Sequence, residues 1–288
     1  MKNLTVYVLL LLGFLTYSCS DSDEGSGHGN LPLIEETLLN VSYGPHPEQV
    51  YDLYLPQSRN YVDAKVIMII HGGAWIAGDK SDMQGTVQLL KSLYPTYAIA
   101  NVNYILANEN QYAFPNQFLD IQKIVQKLTV EKDELSIVPE FGMIGTSAGG
   151  HLAMMYDYKF DTSNQVKFVA NIVGPTDFTD PFYEENFDIP MMVQTLVDPA
   201  AYPSGTNYLI ELSPSFHVTA SSSPTCMFFG TDDPLVPENN GTTLKQNLDQ
   251  FGVNNTLRIY NGGHGDNWST QDFNETVSII GQYIEDYL

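Results

Sequence analysis

The feature that most constrains this chain is a rhythm that begins at residue 65. Short unbroken apolar runs such as Val66-Ile67-Met68-Ile69-Ile70 alternate with longer segments of helical periodicity. A strand that is apolar on both sides of its pleat has to be covered on both faces, which points to parallel strands sandwiched between helices. The runs predict strands over 65–71, 97–103, 141–145, 168–173, 225–229 and 256–260, with helices over 83–93, 115–128, 148–158, 239–251 and 274–287. Before them, 35–43 and 49–55 alternate apolar and polar residues around Gly44-Pro45 and read as two peripheral antiparallel strands. The expectation is an α/β fold: a mostly parallel, twisted sheet of about eight strands with helices on both faces. One stretch breaks the rhythm. Residues 178–208, carrying Pro181, Pro190, Pro199 and Pro203, are too many for a simple connection and read as an insert after the sixth strand, a lid or a binding wall.

The first 18 residues have a different logic. Lys2 precedes an almost wholly apolar run from Leu4 to Tyr17, and Ser18-Cys19 follows, the layout of a secretory leader. That run is shorter than the roughly 20 residues a membrane-spanning helix needs. The stretch Leu15-Thr16-Tyr17-Ser18-Cys19 resembles a bacterial lipoprotein signal, which implies cleavage before Cys19 and lipidation of that cysteine. The acidic run Ser20-Asp21-Ser22-Asp23-Glu24 resembles the export signal of surface-exposed lipoproteins. The organisation expected is therefore a leader over 1–18, a flexible Gly- and Ser-containing tether over 19–30 and one domain over 31–288. This implies an envelope protein, on the outer membrane and exposed at the surface, touching lipid only through the Cys19 anchor; a periplasmic or secreted protein is the alternative.

Charge narrows the partners. With 12 Lys and Arg against 34 Asp and Glu, the net charge of −22 repels phosphate backbones and anionic lipid surfaces, so nucleic acid is excluded. With Cys19 acylated, Cys226 is the single remaining cysteine, which leaves neither a disulfide nor a cysteine metal cluster. The scattered histidines lack ligand spacing: His28 and His46 lie in the tether and a turn, while His151 and His217 read as structural or incidental.

Two glycine-bounded motifs carry chemistry. Gly145-Thr146-Ser147-Ala148-Gly149 follows a strand and opens a helix, the setting of a nucleophile elbow, in which the two glycines let strand and helix pass while a strained serine projects. The competing reading is a glycine-rich turn with Ser147 as a helix cap. His71-Gly72-Gly73-Ala74-Trp75 lies directly after the third strand, where the second half of an oxyanion hole belongs. The amides of Gly73, Ala74 and Ala148 are the expected donors to an oxygen that becomes negative. His71 is expected to brace its loop by hydrogen bonds.

The segments HGGAWIAGDK (71–80), NYILANENQYAFPNQFLD (103–120), GTSAGGHLA (145–153), GPTDF (174–178) and GTDDPLVP (230–237), in that order, resemble the α/β-hydrolase esterases related to hormone-sensitive lipase. The closer likeness is to secreted bacterial carboxylesterases that remove acetyl or feruloyl groups from plant polysaccharides. The resemblance covers roughly 31–288. Ala74 departs from the group's third loop glycine, giving the HGG-x-W form that kynurenine formamidase-like and feruloyl esterase-like members share.

In that chain order the acid and base come after the serine. The resembled pattern puts the acid at Asp233 rather than the adjacent Asp232, and the base at His264 within Gly262-Gly263-His264-Gly265. Asp120 resembles a structural acid bonded near the elbow, and Asp177 is expected to cap a helix. Trp75 and Phe178, with Phe182, Tyr183, Phe187, Met191 and Met192, line a pocket or fill the core of a lid. The implied activity is serine carboxylesterase action on short-chain or aromatic acyl esters, small or glycan-linked, with no metal or cofactor. A serine peptidase of the prolyl-oligopeptidase type and a non-catalytic glycan-binding lipoprotein are the alternatives.

Overall fold

The computed structural model describes residues 33–186 and 189–288, so the leader, Cys19 and the tether lie outside the described residues. The chain forms strands β1 (Glu36–Ser42), β2 (Val50–Leu55), β3 (Val66–Ile70), β4 (Ala98–Val102), β5 (Phe141–Thr146), β6 (Val166–Ile172), β7 (Thr225–Gly230) and β8 (Asn255–Tyr260). The helices are α1 (Gln84–Leu93), α2 (Asn116–Val130), α3 (Lys132–Leu135), α4 (Ala148–Met155), α5 (Pro181–Asn186), α6 (Ile189–Leu196), α7 (Tyr208–Glu211), α8 (Asn239–Gln250) and α9 (Thr270–Tyr287). All eight strands join one sheet in the order β1-β2-β4-β3-β5-β6-β7-β8. Only β2 is antiparallel to its neighbours β1 and β4; β4 onward is parallel.

The unbroken apolar runs divide their residues between two cores. Met68 and Ile70 of β3 and Met227 and Phe229 of β7 face a cluster completed by α2, α4 and α8. Their neighbours Ile67, Ile69, Cys226 and Phe228 point the other way, against Val87 and Leu90 of α1 and Ile280 and Ile284 of α9. Each such fully buried side chain stabilises the fold by about 1.5–3 kcal/mol, which is why a strand with no polar position is stable only here.

The expected fold class holds, and the differences lie at element ends. The helix expected over 148–158 stops at Met155 and continues as a wider π turn, Tyr156–Phe160. The strand expected from 168 starts at Val166, whose amide donates to Asp161 Oδ2 at 2.7 Å. The helix expected from 274 starts at Thr270, because Ser269 and Asp272 form a reciprocal capping box: the Asp272 amide donates to Ser269 Oγ at 3.1 Å and the Ser269 amide to Asp272 Oδ2 at 3.0 Å. The insert builds α5 and α6 and returns to the body, where the Phe114 amide donates to Leu196 O at 3.0 Å.

Replacing Ser269 with Ala should cost about 1 kcal/mol of stability. Urea denaturation of the two proteins side by side measures it, with an unchanged slope expected because the folded surface is the same.

Candidate active site

The carboxyl ends of the central strands carry the loops of interest, as in other open parallel sheets. Ser147 sits between β5 and α4 with φ 53° and ψ −120°, a left-handed backbone that a side chain seldom adopts. Its two flanking glycines are steric necessities. A Cβ on Gly145 would overlap the backbone of Gly149 and Gly150, and one on Gly149 would overlap the carbonyls of Ile70 and His71. The Ser147 amide donates to Ile172 O at 2.8 Å and its carbonyl accepts from the His151 amide at 3.1 Å, so the turn is bolted to β6 and to its own helix.

Three residues far apart in the chain meet at this turn. His264 Nε2 lies 2.8 Å from Ser147 Oγ, and His264 Nδ1 lies 2.7 Å from Asp233 Oδ2. Asp233 has a fully buried carboxylate, and its other oxygen accepts the amides of Leu235 (2.8 Å) and Val236 (3.0 Å). An ionised carboxylate only accepts, so the imidazole hydrogen sits on Nδ1 and Nε2 presents its lone pair to the serine hydroxyl. Asp232 is exposed, and its amide donates to Gly262 O at 2.9 Å. Close approach of the Asp233 and His264 loops requires Gly230, where a Cβ would overlap the carbonyls of Gly262 and Gly263.

The loop after β3 runs through three successive positive φ values, 120° at Gly73, 50° at Ala74 and 64° at Trp75. A Cβ on Gly72 would come 3.2 Å from the Cβ of Ser147, so this loop abuts the serine directly. Among the described residues, the amides of Gly73, Ala74 and Ala148 donate to no protein acceptor. Behind the loop, His71 is buried, stacks on Tyr104 with ring centroids 4.4 Å apart, and contacts Gly72 O through Nδ1 at 2.6 Å. Burial pushes its pKa below the usual imidazole value.

A polar brace that the sequence reading missed holds the far end of this loop. Lys80 Nζ donates to Asp52 at 2.9 Å in a largely buried ion pair, the Lys80 amide donates to Asn103 Oδ1 at 2.6 Å, and Asn101 Nδ2 donates to Lys80 O at 2.7 Å. Asn103 Nδ2 in turn donates to Asp79 Oδ2 at 2.7 Å. Partial burial works against ionisation of Asp79, but the bonds from Asn103 and Ser81 outweigh it and hold its pKa down at about 2.

Above Ser147 and His264 opens a cavity of about 180 Å³ whose other walls are Ala74, Trp75, Pro175, Phe178, Tyr183, Met192, Leu235 and Val236. Of the two alternatives for Trp75 and Phe178, pocket wall or lid core, both residues are found in the cavity wall. Of the insert residues, Tyr183 and Met192 reach the cavity; Phe182 packs against the core, Met191 is exposed and Phe187 lies outside the described residues.

Two expectations about carboxylates need correction. Asp120 is fully buried, but it accepts from Gln49 Nε2 (2.7 Å), the Ile105 amide (3.0 Å) and Lys123 Nζ (3.0 Å) and makes no bond to the elbow. It anchors the chain leaving β4. Asp177 makes a local turn with Thr179, whereas Asp180 accepts the Phe182 amide at 2.9 Å at the start of α5. A proline at the first helical position moves the cap to the residue before it. His151 is likewise more than incidental. It is fully buried, with Nε2 2.7 Å from Leu212 O and Nδ1 3.2 Å from Trp75 Nε1.

This fold, with a strained serine between strand and helix, an acid after β7 and a histidine after β8, is that of an α/β-hydrolase. The family model described as BD-FAE matches residues 51–248, well over half of the chain, and the chain belongs to that family. It is 22% identical over 242 residues to esterase LipC of Mycobacterium tuberculosis, covering 78% of this chain; the chain spans 59% of that relative's length. Among solved structures, a truncated carbohydrate esterase from gut microbiota aligns with TM-score 0.65 at 21% identity, covering 86% of this chain and 96% of the other. Esterase B of Lactobacillus rhamnosis aligns with TM-score 0.68 at 19% identity, over 87% of this chain and 85% of the other.

Burial lowers the pKa of His151 from the usual 6.5 to about 4. A group whose folded pKa is depressed stabilises the protein fully above its unfolded pKa and loses that contribution as pH falls toward the folded value. Between pH 6.5 and 4, wild type should therefore lose stability faster than His151→Gln, by up to about 1.4 kcal/mol per pH unit. Urea midpoints across that range measure it; parallel lines for the two proteins would show that His151 is not buried neutral.

Proposed function

We propose that the protein is a serine carboxylesterase acting through an acyl-enzyme. The observation that carries this reading is the unbroken Ser147–His264–Asp233 hydrogen-bond series at the floor of an apolar cavity. His264 Nε2 takes the hydroxyl proton as Ser147 Oγ attacks the ester carbonyl, and Asp233 holds the ring and stabilises the imidazolium. The unpaired amides of Gly73, Ala74 and Ala148 receive the carbonyl oxygen as it becomes negative, each such donor being worth on the order of 3 kcal/mol of barrier. His264 then gives its proton to the departing alkoxide, and water reverses the sequence to free the acid.

The cavity argues for small acyl groups. An apolar cavity of about 150 Å³ accepts benzene, so one of about 180 Å³ suits acetyl, butyryl or a single ring better than a long fatty chain. The net charge of −22 favours neutral substrates over anionic lipid surfaces. Glycan-linked esters are the substrate class we favour, in keeping with the carbohydrate esterase from gut microbiota and the acetyl ester-xyloside bifunctional hydrolase of Caldicellulosiruptor lactoaceticus among the structural relatives.

Purified protein should cleave p-nitrophenyl acetate and butyrate well, octanoate poorly, and release acid from methyl ferulate or acetylated xylan. Asp233→Asn should retain the fold and lose on the order of 10⁴ in kcat, and Ser147→Ala should fall to background. Wild-type turnover by Ser147→Ala would end the proposal, and preferential cleavage of a chromogenic dipeptide amide would redirect it to a peptidase.

We also propose that the chain is exported and anchored through a lipidated Cys19, leaving 31–288 in the envelope or at the cell surface. Cys19→Ser should shift the protein from the membrane pellet to the soluble fraction; an unchanged pellet would refute the anchor.

A further inference from the structure

His151 lies four residues after Ser147 on α4, and its ring is completely buried beneath the cavity wall. A carbonyl oxygen only accepts, so Nε2, 2.7 Å from Leu212 O, carries the ring hydrogen. In the neutral ring Nδ1 is then a lone pair, and it accepts the indole hydrogen of Trp75 at 3.2 Å. That is the one hydrogen bond of the indole nitrogen among the described residues. Burial supports this assignment by keeping the ring neutral down to about pH 4.

The bonds run across three separate parts of the chain. Trp75 follows Ala74 in the loop against Ser147, and its indole is a wall of the cavity. Leu212 belongs to the segment that returns from the insert, and the next residue, Ser213, accepts the Phe178 amide at 2.7 Å. The His151 ring also meets the rings of Trp75 at 5.3 Å and Phe178 at 5.3 Å, both nearly or partly edge-on. An aromatic wall built from packing alone has several rotamers of similar energy, whereas a directed N–H···N bond selects one.

We infer that His151 is a positioning residue that fixes the width of the acyl cavity by locking the Trp75 indole between the serine helix and the insert. It touches no reacting atom. The substrate arm of this inference rests on the esterase reading; the conformational arm does not.

The test uses the full chain with Trp268→Phe, which leaves Trp75 as the sole tryptophan. In that background His151→Leu keeps an apolar side chain beside the aromatic rings but removes both bonds, and His151→Gln retains one donor and one acceptor. Acrylamide quenching of Trp75 should rise in the Leu variant and return toward the parent value in the Gln variant. The octanoate-to-acetate ratio of kcat/KM should rise on the order of tenfold in the Leu variant, the scale of one or two methylenes of pocket space, and recover in Gln. Unchanged quenching in a Leu variant that retains the parent circular dichroism spectrum overturns the inference. So does an equal loss on every ester, since a purely structural role would scale all substrates together. If the parent cleaves no ester, the esterase reading fails, and quenching alone still decides whether His151 holds Trp75.

Discussion

The site depends on one strained residue. Ser147 holds a backbone conformation of the kind that costs about 1–3 kcal/mol, and it persists because the sheet on one side and α4 on the other leave it no alternative. Relaxing it would require Gly149 to leave the backbone of Ile70 and His71, and Ile70 is paired with both β4 and β5. The strain has two consequences for chemistry. It lifts the hydroxyl off the helix axis toward His264, and it leaves the Ala148 amide at the positive end of α4 without a protein acceptor.

Strand order then sorts the parts. Reading across the sheet from β3 to β8, the loop ends deliver in turn the Gly73-Ala74 amides, the serine, the Pro175–Phe178 wall, the acid and the histidine. The chain places β6 between the strands that precede Ser147 and Asp233, so the wall comes between these two residues and His264 must reach back over β7. It does so through the glycine-rich turn at 262–265, for which Gly230 makes room.

What could be read from the chain was whatever is encoded locally. The elbow and the loop after β3 are each specified by glycines within five residues of one another, because backbone overlap is a short-range constraint. The choice of Asp233 over Asp232 follows the motif, and in the structure Asp233 Oδ2 lies 2.7 Å from His264 Nδ1. The unreadable features are those whose partners are remote. Asp52 meets Lys80 across 28 positions, Gln49 meets Asp120 across 71 and His151 meets Leu212 across 61. A helix with a buried Asp or His gives the same sequence pattern whichever loop it bonds, so the partners of Asp120 and His151 cannot be read from the chain. The capping errors have a different origin. Asp177 and Asp180 are both acceptable turn formers, and only the proline that begins α5 decides between them.

The cavity is apolar, yet much of what lies behind it is polar, and the loop after β3 gives the reason. A segment with three successive positive φ values cannot join a helix or a strand, so ladder hydrogen bonds cannot fix it. Its stiffness has to come from side chains. His71 and Tyr104 hold one end, Lys80 with Asp52, Asn101 and Asn103 hold the other, and Gln117 Nε2 donates to Trp75 O at 2.8 Å in the middle. In a medium of low dielectric each such bond is stronger than in water, so the set restrains the loop even though His71 Nε2, Asn101 Oδ1 and Gln117 Oε1 have no partner among the described residues. Donors fixed before a charge develops need no reorganisation when it does. The polar network behind the loop therefore does what ladder bonds cannot: it holds the Gly73 and Ala74 amides in place beside Ser147.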